Sequence, residues 1–119
     1  MTRQYDIEER LIRFAVSVCH LAETLPRNRV GYHISGQLVR SGTSPAANYA
    51  EAQGAESRRD FVHKMRLCLK ELRETLVWLK LVRRMDLDRR SGVDGTLKEV
   101  NELISIFVRS IRTAQSGSN

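Results

Sequence analysis

Apolar residues in the first 25 positions fall at Ile7, Leu11, Phe14, Val18, Leu21 and Leu25, at successive spacings of 4, 3, 4, 3 and 4. That alternation lays one apolar stripe along a helix, predicted over about residues 6–25 and ended by Pro26. A second helical pattern covers about 30–56 and contains Pro45, which cannot donate to the carbonyl of Ser41. The helix is therefore expected to kink or split there, with Ser44 available as a fresh cap and Pro45 at the first position of the new turn. Gly42, Ala46, Ala50 and Gly54 recur every four residues in this segment, so one side carries little bulk and is expected to lie close to a neighbouring helix. Ser57 and Asp60 resemble a capping box and open a third helix over about 58–85. DLDRRSGVDG reads as a loop, after which Thr96 and Glu99 form a second such box. Leu97, Val100, Ile104, Phe107 and Ile111 then mark a fourth helix over about 97–114, before the polar tail AQSGSN. No alternation of period two occurs, so the chain reads as one all-α domain over 1–119, an up-and-down four-helix bundle with its second helix kinked at Pro45.

The third helix carries more apolar surface than one seam requires. On a heptad wheel Phe61, Met65, Cys68, Leu72, Leu79 and Val82 form the expected core, with Val62, Leu69 and Leu76 widening it. Leu67, Trp78 and Leu81 fall outside that arc and are expected to form a second apolar face, suited to a subunit interface.

Charge changes the picture further, because the net +6 is localised. Residues 58–90 hold eleven basic and five acidic side chains, and the rest of the chain holds nine of each. Arg59, Arg66, Arg73 and Lys80 repeat every seven residues, with Lys70 and Arg84 on the adjacent line, making a basic stripe roughly 35 Å long on one helix face. Sixteen of the twenty basic residues are arginine, the side chain suited to bidentate contact with phosphate or carboxylate. No aromatic residue interleaves with the stripe, which argues against sequence-specific reading of a single strand.

Candidate chemistry is sparse. A di-iron bundle needs paired Glu-x-x-His motifs, and the chain offers only Asp60 with His63, while His20 and His33 have no acidic residue three positions earlier. Ser41, Thr43 and Ser44 have no histidine at a local spacing and read as turn and cap residues. No elbow, phosphate loop, dinucleotide fingerprint or Cys-x-x-Cys occurs, so no catalytic residue, cofactor or metal site is expected. Cys19 and Cys68 sit among apolar helical residues and read as buried thiols of a reducing compartment. With no apolar run of membrane-spanning length and no apolar leader, the protein is expected to be cytoplasmic, without membrane contact.

From Gln37 to Ala52 the chain reads QLVRSGTSPAANYAEA, followed by RRDFVHKMRLCLKELRETLVWLKLV. Gln37, Leu38, Arg40, Ser44, Pro45, Asn48, Ala50 and Glu51, then Phe61, Glu71, Glu74 and Trp78, resemble the bacterial four-helix-bundle family encoded in intervening sequences of 23S ribosomal RNA genes. Tyr49 and Ala52 depart from its usual small aliphatic residue and glycine. The resemblance implies a homo-oligomer, typically a pentameric ring, with no assigned catalysis. The chain is also similar to accessory proteins of diversity-generating retroelements, basic barrels that associate with a reverse transcriptase and nucleic acid. By that likeness Arg59, Arg66, Lys70, Arg73, Lys80 and Arg84 would face RNA or DNA. Arg40, Asn48 and Glu51 are expected to form a structural polar network near the kink, bridging to other helices. The expectation is thus a non-enzymatic oligomer that binds RNA or DNA backbone through its third helix; the alternative is a ring-shaped scaffold for an acidic protein partner.

Overall fold

Four helices, α1 (Arg3–Thr24), α2 (Arg29–Gln53), α3 (Arg58–Arg84) and α4 (Val93–Ser116), follow one another through short connections. The computed structural model describes residues 3–88 and 92–117, so Arg89 and Arg90 of the basic segment, and the last two residues of the tail, lie outside the described residues. Each helix packs on the next, α1 meets α4 more sparsely, and across one diagonal the ring of Tyr49 in α2 meets that of Phe107 in α4 edge-on, with centroids 6.0 Å apart. This is the up-and-down bundle the apolar periodicity predicts, a rod 52 Å long and 24 by 21 Å across.

Local chemistry sets the helix ends. Asn28 caps α2 by accepting the Gly31 amide at 2.9 Å, and Ser57 caps α3 by accepting the Asp60 amide at 3.0 Å. At the end of α3, Leu87 donates to the carbonyl of Val82 and Asp86 to that of Arg83, while Asp86 adopts φ 53°. This Schellman closure places an aspartate where glycine is commonest, and the following Leu87 packs against the core. The fourth helix begins four residues earlier than its pattern predicts. Asp88 accepts the Val93 amide at 2.8 Å, and the buried Val93 ties the first turn to the core in spite of Gly95. Thr96 and Glu99 therefore form no capping box: the Thr96 hydroxyl donates to the Gly92 carbonyl at 3.2 Å, and Glu99 pairs with Arg10 of α1.

Pro45 lies inside a continuous α2 and does not split it. The hydroxyls of Ser41, Thr43 and Ser44 donate back to the carbonyls of Gln37, Val39 and Arg40 at 2.7–2.9 Å, so Ser44 is not a fresh cap. The small-residue side of α2 closes on a neighbour at Gly42, where an added Cβ would stand 2.6 Å from a methyl carbon of Val18. Ala46 packs against the core as well, but Ala50 and Gly54 are exposed, so the close approach occupies only part of that line.

All six residues of the α1 stripe are buried. In α3 the seam is Met65, Cys68, Leu72, Thr75, Leu79 and Val82, with Val62 buried and Phe61 only half-buried, the reverse of the expected ranking. Thr75 enters the core because its hydroxyl lies 2.9 Å from Ser41 Oγ and 2.8 Å from the Glu71 carbonyl, which satisfies a buried polar group. In α4, Leu103 takes a core place while Leu97 and Ile104 sit half-buried at its edge. Burial pushes the Cys68 thiol up to about 12, and its Sγ lies 3.5 Å from the Pro45 carbonyl.

Two stability measurements follow from this packing. Gly36 is exposed in mid-helix with open space around its Cα, so Gly36→Ala should stabilise by about 0.5–1 kcal/mol, whereas Gly42→Ala meets stiff, branched Val18 and should destabilise by about 1 kcal/mol in urea denaturation. Because the folded Cys68 thiol stays protonated where an unfolded thiol ionises near pH ~8.5, its stabilising contribution is complete below that pH and is lost as pH rises toward 12. The stability difference between wild type and Cys68→Ala should therefore narrow above pH ~9 by at most about 1.4 kcal/mol per pH unit.

Candidate nucleic-acid interface

The core residues of α3 alternate at spacings of 3 and 4 from Met65 to Val82, a strict heptad. Arg66, Arg73 and Lys80 each follow a core residue by one position, and Arg59 continues the same line. The seven-residue period that buries the seam therefore also fixes these cations at one angle to it. Arg59, Arg66, Lys70, Arg73, Lys80 and Arg84 are all exposed, as their spacing predicts. Among the described residues none of the six has an ion pair or a side-chain hydrogen bond.

The carboxylates explain why. Glu71 and Glu74 of α3 turn toward α2, where Arg40 Nη1 donates to Glu71 at 3.2 Å and Nη2 pairs with Glu74. Glu74 also accepts the indole N–H of Trp78 at 3.0 Å, and the Trp78 ring meets His33 edge-on with centroids 5.6 Å apart. Lower on the same seam Glu51 accepts from Lys64 at 2.9 Å, and that hydrogen bond raises the Lys64 pKa. Across the α3–α4 side Arg83 at the end of α3 pairs with Asp94 of α4 at 3.3 Å. Elsewhere Glu99 and Glu102 both hold Arg10 across the α1–α4 seam, and the hydrogen bond from Glu99 is the largest cause of a raised Arg10 pKa. Glu71 and Glu74 are thus engaged on the α2 side of α3, and apart from Arg83 with Asp94 the side toward α4 carries uncompensated positive charge.

The expected polar network divides. Arg40 and Glu51 each bridge to α3, but at separate levels with separate partners, and Asn48 makes no side-chain hydrogen bond among the described residues. Of the residues expected at an apolar interface, Trp78 and Leu81 pack partly buried against the core and Leu67 is half-buried, so each keeps part of its surface exposed. Among the described residues Ile12, Val16, Val30, Tyr32, Val39, Val77 and Met85 are the exposed large apolar side chains, five of them on α1 and α2.

One basic residue escaped the sequence reading. Arg112 of α4 lines the same cleft as Arg66 and Arg73, with Leu69, Val108 and Ile111 between them. Its signal was its place directly after the apolar Ile111, the relation that Arg66 bears to Met65. The balanced charge count outside residues 58–90 concealed it, because Glu99 and Glu102 are committed to Arg10 and leave the end of α4 basic. Among the described residues no three His, Cys, Asp or Glu side chains gather as metal ligands would, and no helix is long and apolar enough to cross a membrane.

Residues 3–109 match the model of a family described as 23S rRNA-intervening sequence protein. A crystal structure from Bacteroides thetaiotaomicron VPI-5482, titled a protein with unknown function from the S23 ribosomal protein family, is similar at 31% identity and a TM-score of 0.85, covering 94% of this chain and 100% of that one. No curated protein matches the sequence.

The two classes of arginine should respond differently to substitution. Arg40→Gln leaves Glu71, only 19% exposed in its side chain, and Glu74 without their cation, and should cost about 1 kcal/mol after solvent screening of the half-exposed pair. Arg66→Gln and Arg73→Gln should each stay within about 0.5 kcal/mol of wild type in the same urea titration.

Proposed function

The chain belongs to the family of 23S rRNA-intervening sequence proteins, and from that premise we propose that it is a non-enzymatic protein that binds RNA or DNA backbone through α3. The observation that carries this reading is the row of six exposed cations, unpaired among the described residues, on a helix whose two glutamates are turned to the opposite seam. Ordinary surface helices mix the two signs, so that local pairs neutralise most of the field. Here the field is left open along most of a 52 Å rod, a geometry that suits an extended polyanion better than a compact one. Long arginine and lysine side chains on a convex helix reach phosphate oxygens but not base edges, so this contact carries affinity and little sequence preference.

The test is fluorescence anisotropy of a labelled structured RNA over a series of salt concentrations. Affinity should fall steeply with salt, and Arg66→Gln, Arg73→Gln and Lys80→Gln combined should flatten the logarithmic slope by about one unit per lost phosphate contact, about three in all. An unchanged slope in that variant, or no binding at low salt, would overturn the proposal.

A further inference from the structure

We infer that the cleft between α3 and the last turns of α4 is a subsite for one unstacked nucleotide of a single-stranded nucleic acid. This rests on the polyanion reading of α3 and assigns a particular ligand group to a particular place on it. The cleft holds about 240 Å³, is bordered by Arg66 and Arg73 of α3 and Arg112 of α4, and is lined between them by Leu69, Val108 and Ile111.

Three guanidinium-bearing side chains around one recess with no carboxylate on its lining repel one another unless an anion joins them. Phosphate alone answers the charge but not the lining, since an apolar surface strips its water and returns no hydrogen bond. An apolar ligand alone answers the lining but not the charge. A nucleotide meets both demands, with its phosphate on the guanidinium groups and its base against the aliphatic carbons and stacked on an arginine plane. The recess is smaller than the roughly 300–1,000 Å³ of a typical small-molecule site, which suits one base better than a whole dinucleotide cofactor. Arg66 and Arg73 stand two turns apart, about 10 Å along α3, so they can bracket one such group with Arg112 opposite. A duplex keeps its bases paired inside and would lie along the cations of α3, without entering the cleft to reach Arg112. The lining offers Gln115 as its one amide side chain and no aromatic ring, so the subsite distinguishes unpaired from paired strands and not one base from another.

The experiment compares three labelled probes with equal numbers of phosphates at one salt concentration: a single-stranded oligothymidylate, a blunt duplex, and an abasic single strand. Charge density alone favours the duplex. The expected result is that oligothymidylate binds about fivefold tighter than both the duplex and the abasic strand. Arg112→Gln should remove that preference while changing duplex affinity by no more than about twofold, and Arg112→Lys, which keeps the charge and loses the stacking plane, should remove it too. Lys80→Gln, outside the cleft, should weaken all three probes by the same factor. Equal binding of the abasic and thymidylate strands would overturn base insertion while leaving backbone binding intact, as would equal weakening of all probes by Arg112→Gln. Failure of every probe to bind would overturn both this inference and the backbone reading beneath it.

Discussion

Arg40 reaches from α2 to Glu71 and Glu74 of α3, and the electrostatics of the far side of α3 depend on that reach. A helix with three acids among its nine cations between Arg58 and Arg84 could distribute them so that each neutralises a neighbour. Instead the two glutamates face a partner on another helix, with the Trp78 indole fastened to the same carboxylate. Lys64 with Glu51 repeats the arrangement lower on the seam. Pairing across α2–α3 thereby both ties the two helices together and removes negative charge from the α3–α4 face.

The seam that is tied electrostatically is also stitched by polar groups in its interior. Thr75 and Ser41 meet in the core, and Cys68 touches the Pro45 carbonyl at the level where proline interrupts the ladder of α2. The hydroxyls on this seam have partners, and α2 continues through Pro45 where its sequence alone allowed a division.

Much of this was legible in the order of residues. The spacing of Ile7 through Leu25 and the heptad from Met65 to Val82 identify the buried sides of α1 and α3, because a helix can bury only one stripe. The exposure of the six cations followed from the same periodicity. What was not legible depended on contacts between helices. Thr75 looks polar until Ser41 stands opposite it, and the contacts of Trp78 with Glu74 and His33 appear only once α2 and α3 lie side by side. The start of α4 was misplaced because Gly92 and Gly95 carry the local signature of a loop, while the deciding interactions are the Asp88 carboxylate and the burial of Val93. Arg112 could be joined to Arg66 and Arg73 only once α3 and α4 lay side by side.

The strict heptad of α3 makes core and charge a single register. Each of Arg66, Arg73 and Lys80 stands one residue after a buried side chain, so their angular relation to the seam is conserved along the helix without separate specification. A one-residue insertion or deletion within α3 would turn everything beyond it by about 100°. The bundle could recover its packing only by rotating the helix back, and that rotation would restore the cations as well. Selection that preserves the hydrophobic interior therefore preserves the angular placement of these positions, whereas the charge they carry is not needed for folding and is kept only by a role outside it.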